Sequence, residues 1–168
     1  MLLKKLKKGL TTQYRYDALK HPVQYLYPSL EDGSMKAIVS VDYDEEGNAV
    51  QYKDIYDHVI KREYDANSNM IAETNSNGFI TRYQYDSLNN MTKVQSPLER
   101  VMKYDYDGNN NLVERSYNDK KATYEYDEAD NLIKEVSEYG LTETYQYDDF
   151  GQMTSYTKKR WNNDRLFI

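Results

Sequence analysis

A tyrosine followed by an aspartate recurs along this chain at Tyr43-Asp44, Tyr64-Asp65, Tyr85-Asp86, Tyr106-Asp107, Tyr126-Asp127 and Tyr147-Asp148. The steps from Asp to Asp are 21, 21, 21, 20 and 21 residues. A fixed period of this length means one small supersecondary unit copied many times, each copy covering its neighbour's apolar face. The chain is too short for anything else to dominate it.

The residues around each pair specify the unit. Two positions before the pair stands another tyrosine in four copies, Tyr83, Tyr104, Tyr124 and Tyr145, with Arg62 and Val41 in the other two. Tyr-x-Tyr has period two, so both rings lie on one face of a β-strand. Three positions after the Asp come Gly47, Ser68, Asn89, Asn110, Asp130 and Gly151, mostly types that tolerate a left-handed backbone. Then follow Asn48, Asn69, Asn90, Asn111, Asn131 and Gln152, and next an apolar residue at Ala49, Met70, Met91, Leu112, Leu132 and Met153. The pattern reads strand, tight turn, strand. The Asp at the first turn position accepts a backbone hydrogen bond from two residues on, and the left-handed residue closes a type I turn with a bulge. The aspartates are thus expected to form turns, and the tyrosines of the same pairs to pack as rings across neighbouring strands.

Tyr-x-Tyr-Asp-x-x-Gly/Asn-Asn-Leu/Met at this period resembles the YD repeat of the Rhs family, found in bacterial Rhs toxins, insecticidal toxin-complex subunits and teneurins. The match runs over residues 9–157. The resemblance implies an all-β fold of tandem antiparallel hairpins, joined into one long, twisted and curled sheet that is an open segment of a hollow shell. It also implies a structural role: enclosing or carrying a toxin domain in bacterial competition or toxin delivery, by a secreted or cell-surface protein. The family's self-cleaving segment is not seen here, and no passenger domain follows Tyr156, so neither activity carries over. The alternative is a carbohydrate-binding surface that uses exposed rows of tyrosine.

The remaining features fit a single array over residues 1–168. Leu, Ile, Val and Phe make up only 32 of 168 residues, close to the range of disordered chains. A net charge of only −6 and 19 tyrosines argue against disorder, because ring area takes the place of the missing aliphatic core. Mild acidity is unsuited to a nucleic-acid partner. The lack of cysteine excludes disulfides and thiolate metal sites, and no apolar run is long enough for a membrane-spanning helix.

Residues 1–8, rich in lysine, have no apolar core fit for a signal peptide and fall where a preceding repeat would have its second strand. Residues 9–40 form a degenerate copy with an insertion: its turn reads Asp17-Ala18-Leu19-Lys20-His21, and the step from Asp17 to Asp44 is 27. Pro22 and Pro28 predict an irregular loop or an edge there. Regular repeats fill 41–157, and 158–168 is an incomplete segment, so the chain is expected to be a fragment or free-standing remnant of a longer array. About 14 strands would make a strip on the order of 65 Å wide if flat. The partners expected are the rest of such an array, or another copy, through open sheet edges.

A second turn in each repeat falls at Asp57-His58, Asn77-Gly78, Ser96-Pro97, Asn118-Asp119 and Tyr139-Gly140. These differ in chemistry, so one margin of the strip is expected to be regular and the other variable. No catalytic constellation, cofactor motif or metal-binding set is present. His21 and His58 sit in separate turns, and Asp105-x-Asp107-Gly108-Asn109 fails as a calcium loop at its sixth and twelfth positions, Asn110 and Ser116. The chain is therefore not read as an enzyme.

Overall fold

The computed structural model describes the backbone of residues 3–5 and the whole of residues 11–29 and 31–159. The rest of the lysine-rich start, Gly9-Leu10 and the segment from Arg160 to Ile168 lie outside the described residues. The fold is all-β, with strand order equal to chain order throughout. Two compact units divide between Arg82 and Tyr83.

The first unit holds β1 (Leu3–Lys5), β2 (Thr11–Tyr16), β3 (Pro22–Pro28), β4 (Met35–Tyr43), β5 (Ala49–Asp54), β6 (Val59–Tyr64) and β7 (Met70–Thr74), and reaches into β8 (Ile80–Tyr85). Each is antiparallel to the strand before and after it. The second unit takes up the end of β8 and continues through β9 (Met91–Gln95), β10 (Val101–Tyr106), β11 (Leu112–Tyr117), β12 (Lys120–Tyr126), β13 (Leu132–Val136), β14 (Thr142–Tyr147) and β15 (Met153–Lys159). From β9 to β15 the pairing is again antiparallel between neighbours.

Burial alternates along the strands that end in Tyr-Asp. In β10, Met102, Tyr104 and Tyr106 are half-buried while Lys103 and Asp105 are exposed, as the period-two pattern requires. Arg62, which stands in the tyrosine column, keeps the face intact by other means. Its guanidinium lies 4.6 Å over the Tyr52 ring and pairs with Glu73 at 2.8 Å. Among the described residues, buried apolar side chains are few: Leu26, Val41 and Ala72 in the first unit, Ala122 in the second.

The segment around the two prolines is neither an irregular loop nor an edge, because β3 pairs with β2 on one side and β4 on the other. Pro22 and Pro28 are its first and last residues, where the missing N–H costs least. Lys20 adopts the left-handed conformation at φ 71°, and Asp17 and His21 make the same turn bonds as the regular copies. The six inserted residues lengthen the hairpin beyond it, which closes through Ser29 and Ser34 and carries a bulge between Tyr25 and Leu26.

The outer margin is also more regular than its chemistry suggests. Four outer turns repeat one five-residue scheme: the first residue's N–H donates to the carbonyl four on, and the fourth residue, left-handed, donates back to the first. These are Asp54–His58, Asn75–Phe79, Ser96–Arg100 and Ser137–Leu141, with Asp57, Gly78, Glu99 and Gly140 left-handed. The fifth differs. Tyr117 pairs directly with Lys120, so Asn118 and Asp119 alone make the turn. This tighter turn is where the 20-residue step loses its residue.

Gly47 shows how closely adjacent turns are fitted. Its φ is +86°, and a Cβ there would lie 3.1 Å from Nε2 of His21 in the preceding turn, whereas a Cβ on Gly78, at φ +81°, would meet nothing within 4 Å. Gly78→Ala should therefore cost about 1–2 kcal/mol for the left-handed backbone alone. Gly47→Ala should cost more, and the excess should vanish when His21 is also replaced by Ala, as read from urea unfolding of the four variants.

Candidate functional site: the Tyr-Asp turn

Each Tyr-Asp pair ends a strand and opens a turn, and the two side chains act in different directions. The Asp acts on its own turn. In all six copies its N–H donates to the carbonyl of the Asn or Gln four residues on at 2.9–3.0 Å, and the left-handed residue's N–H donates to the Asp carbonyl at 3.0–3.2 Å. Gly47, Ser68, Asn89, Asn110, Asp130 and Gly151 all have positive φ between 61° and 86°. In the Asp127 turn the carboxylate Oδ1 accepts from the N–H of Ala129 and of Asn131, each at 2.9 Å, while Oδ2 accepts from the Asn131 amide at 3.1 Å. The same set recurs at Asp65, Asp86 and Asp107, and at Asp44 and Asp148 the Oδ1 takes the N–H four residues on. One carboxylate thereby satisfies the donors that a turn leaves over.

His21 and His58 stand in the Asn position of two further turns of this kind. His21 Nδ1 lies 3.0 Å from Asp17, and His58 Nδ1 lies 2.9 Å from Asp54. Sequence reading treats both as isolated. Their spacing of four from an Asp, the spacing of Asp to Asn elsewhere, is what places them. His21 also stacks on the Tyr43 ring with centroids 4.7 Å apart.

The Tyr acts on the preceding repeat. The hydroxyls of Tyr64, Tyr106, Tyr126 and Tyr147 donate to the carbonyls of Ala49, Met91, Leu112 and Leu132 at 3.0–3.1 Å. Each acceptor is the apolar residue that restarts the chain after the previous turn. The offset is 15 residues, and 14 for Tyr126, whose repeat has the two-residue outer turn. Tyr43 reaches Pro22 at 3.3 Å over 21 residues, which is 15 plus the six-residue insertion. The bond thus survives both changes of length. At the same place the register skips one residue, with Tyr126 opposite Leu132 and Glu125 opposite Lys134. The skipped position holds Val23, Val50, Ile71, Val113, Ile133 and Thr154, a β-branched column beside the bulge.

The rings of the six tyrosines are half-buried. Two strand spacings, about 9.6 Å, separate Tyr106 from Tyr126 and Tyr126 from Tyr147, too far for direct ring contact. Cross-strand ring pairs occur elsewhere, at Tyr14–Tyr25 with centroids 5.0 Å apart and at Tyr145–Tyr156 at 5.5 Å. Adjacent turns are joined by amides. Asn90 donates to Asn110 at 3.0 Å, and Asn109 and Asn111 both donate to Asp130, at 2.9 and 2.6 Å.

The aromatic face also carries charge that alternation alone does not reveal. Glu143 accepts from Lys158 at 2.6 Å and from the hydroxyls of Tyr145 and Tyr156 at 3.0 Å each, which holds its carboxyl below the usual range. The Tyr145 phenol is pushed up to about 12 by burial and by its bond to that carboxylate. Among the described residues no group of three or more His, Asp and Glu could hold a metal ion. Among the described residues no helix is long and apolar enough to cross a membrane.

A family model described as RHS Repeat matches residues 64–101 and 106–142. None of the curated proteins matches. Among solved structures, similarity extends over 95% of this chain and 11% of the matched chain in the crystal structure of TcdB2-TccC3, at 15% identity and a TM-score of 0.54. TcdB2-TccC3-TEV gives 13% identity and a TM-score of 0.53 over the same shares. The Tc holotoxin pore of Photorhabdus luminescens gives 16% identity and a TM-score of 0.51, over 94% of this chain and 8% of that one. The chain therefore spans about a tenth of the length of these structures, and the likeness is one of fold.

Two outcomes follow from the bonds. Tyr126→Phe should cost about 0.5–1.5 kcal/mol, the worth of one hydrogen bond, and Tyr126→Ala several kcal/mol, by urea unfolding. The carboxyls of Asp65, Asp86, Asp107 and Asp127 are held below the ordinary value by the N–H of the Asn four residues on, that of Asp44 mainly by the Asn48 amide. A lowered folded-state value means that the unfolded chain binds protons first. The stabilisation is complete above the unfolded value, about 3.9, and is lost as pH falls through the folded values. Melting temperature should hold level from pH 7 to about 5 and drop steeply below about 4.

Proposed function

Since the chain carries Rhs repeats, we propose that it forms part of the wall of a shell that encloses or carries a toxin domain in a secreted or cell-surface protein. The repeat itself is a structural scaffold. What supports the reading is that the Asp carboxylate of all six copies, and the Tyr hydroxyl of five of them, are spent on the array. The Tyr hydroxyl goes to the preceding repeat's backbone and the Asp carboxylate to its own turn, as in the pair Tyr126 and Asp127. A wall needs such bonds and needs no reactive group. The half-buried state of the six rings also favours a scaffold over carbohydrate binding by their rows. One solved structure of similar fold is a Tc holotoxin pore, which makes a toxin domain the natural cargo. The other partners are further repeats of the same array, or a second copy, meeting a sheet edge.

Limited proteolysis of the longest natural polypeptide that contains this sequence tests the reading. A domain enclosed by the array should resist cleavage, and the double substitution Tyr106→Ala with Tyr126→Ala, which opens two latches, should expose it. Equally fast cleavage of that domain in the unsubstituted protein would exclude enclosure.

A further inference from the structure

The shortened turn at Asn118 and Asp119 leaves a notch in the outer margin of the second unit. It opens a cavity of about 670 Å3 between this turn and the next one, at Ser137–Leu141. That lies within the range of about 300–1,000 Å3 usual for small-molecule sites. Register sets its floor. Met102 stands opposite Tyr117, and Tyr117 opposite Lys120, so all three project from one face. The neighbouring turn supplies Glu138 and Tyr139 as the far wall.

The polar groups in the notch are arranged unevenly. Arg115 and Glu138 pair with each other at 3.3 Å. Lys120 holds its ammonium 4.4 Å over the Tyr139 ring, and among the described residues neither it nor Asp119 has an ion-pair partner. Tyr139 remains 75% exposed although this contact fixes it. The notch therefore presents one unpaired cation, one unpaired carboxylate next to it in the chain, and an apolar wall of Met102, Tyr117 and Tyr139.

We propose that this notch binds an α-amino acid with a large apolar side chain. Lys120 receives the carboxylate, Asp119 the α-ammonium, and the two tyrosines and Met102 the side chain. A ligand with only one of the two charges makes only one of the two charged hydrogen bonds, and a ligand without the apolar group leaves the wall wet.

Calorimetric titration of the intact chain with L-phenylalanine, N-acetyl-L-phenylalanine and L-phenylalaninamide tests this. L-phenylalanine should bind, and each derivative should bind about tenfold more weakly, as expected for losing one charged hydrogen bond. Lys120→Met should erase the preference over the amide, and Asp119→Asn the preference over the acetylated form, with thermal melts confirming that both variants are folded. Should either variant melt early, Tyr139→Ala at the exposed turn tip should still weaken L-phenylalanine about tenfold without altering the melt. No binding up to the order of 10 mM, equal binding of the three compounds, or unchanged preference in a folded Lys120→Met chain would each overturn the proposal.

Discussion

A phenolic hydroxyl bound to the backbone carbonyl of the hairpin before it is the interaction on which this architecture depends. The strands have little to bury: only four apolar side chains among the described residues are buried. Tyrosine suits that situation because its ring gives area at half-burial while its hydroxyl gives direction. Adjacent strands in an antiparallel ladder are held by main-chain bonds whatever the side chains. What the Tyr bond adds is a fixed point between successive repeats, at the spot where the register skips a residue. The Asp beside it fixes the turn from within, so a single dipeptide sets both the shape of a hairpin and its position on its predecessor.

Much of this was legible in the sequence, because period-two tyrosines and a left-handed residue three places after Asp admit few conformations. Strand, turn and strand are local choices, and each is made by residues within ten positions of one another. The latch was not legible as a bond, since it joins Tyr126 to the carbonyl of Leu112 and a carbonyl belongs to every residue type. Its trace is only an offset of 15 residues from the residue that restarts the chain after the turn, shortened to 14 at Tyr126 and lengthened to 21 at Tyr43. The roles of His21 and His58 were hidden for a different reason: imidazole Nδ1 can take the place of an Asn amide toward an Asp, and residue type alone conceals the equivalence.

Proline is compatible with a paired strand when it stands at the strand's end. Pro22 and Pro28 bound β3 and do not interrupt it. In the outer turns the residues vary while the backbone of four of them does not. Asp54, Asn75 and Ser137 all accept turn N–H groups with a side-chain oxygen, whereas Ser96 opens the same turn without such a bond. Main-chain geometry carries that turn once a left-handed residue is in fourth place, a place held by Glu99 in one turn and by Gly140 in another.

The two margins of the hairpins answer changes of chain length differently. A residue lost at Asn118-Asp119 and six gained before Met35 are both taken up at the outer ends, while Tyr126 and Tyr43 still find their carbonyls. The inner margin behaves as a spine whose vertebrae are spaced by side-chain bonds, and the outer margin as a fringe whose tassels can be trimmed or let out singly. Foreign peptides spliced into the fringe would leave the spine undisturbed, so such a chain can acquire new surface chemistry one loop at a time without refolding its frame.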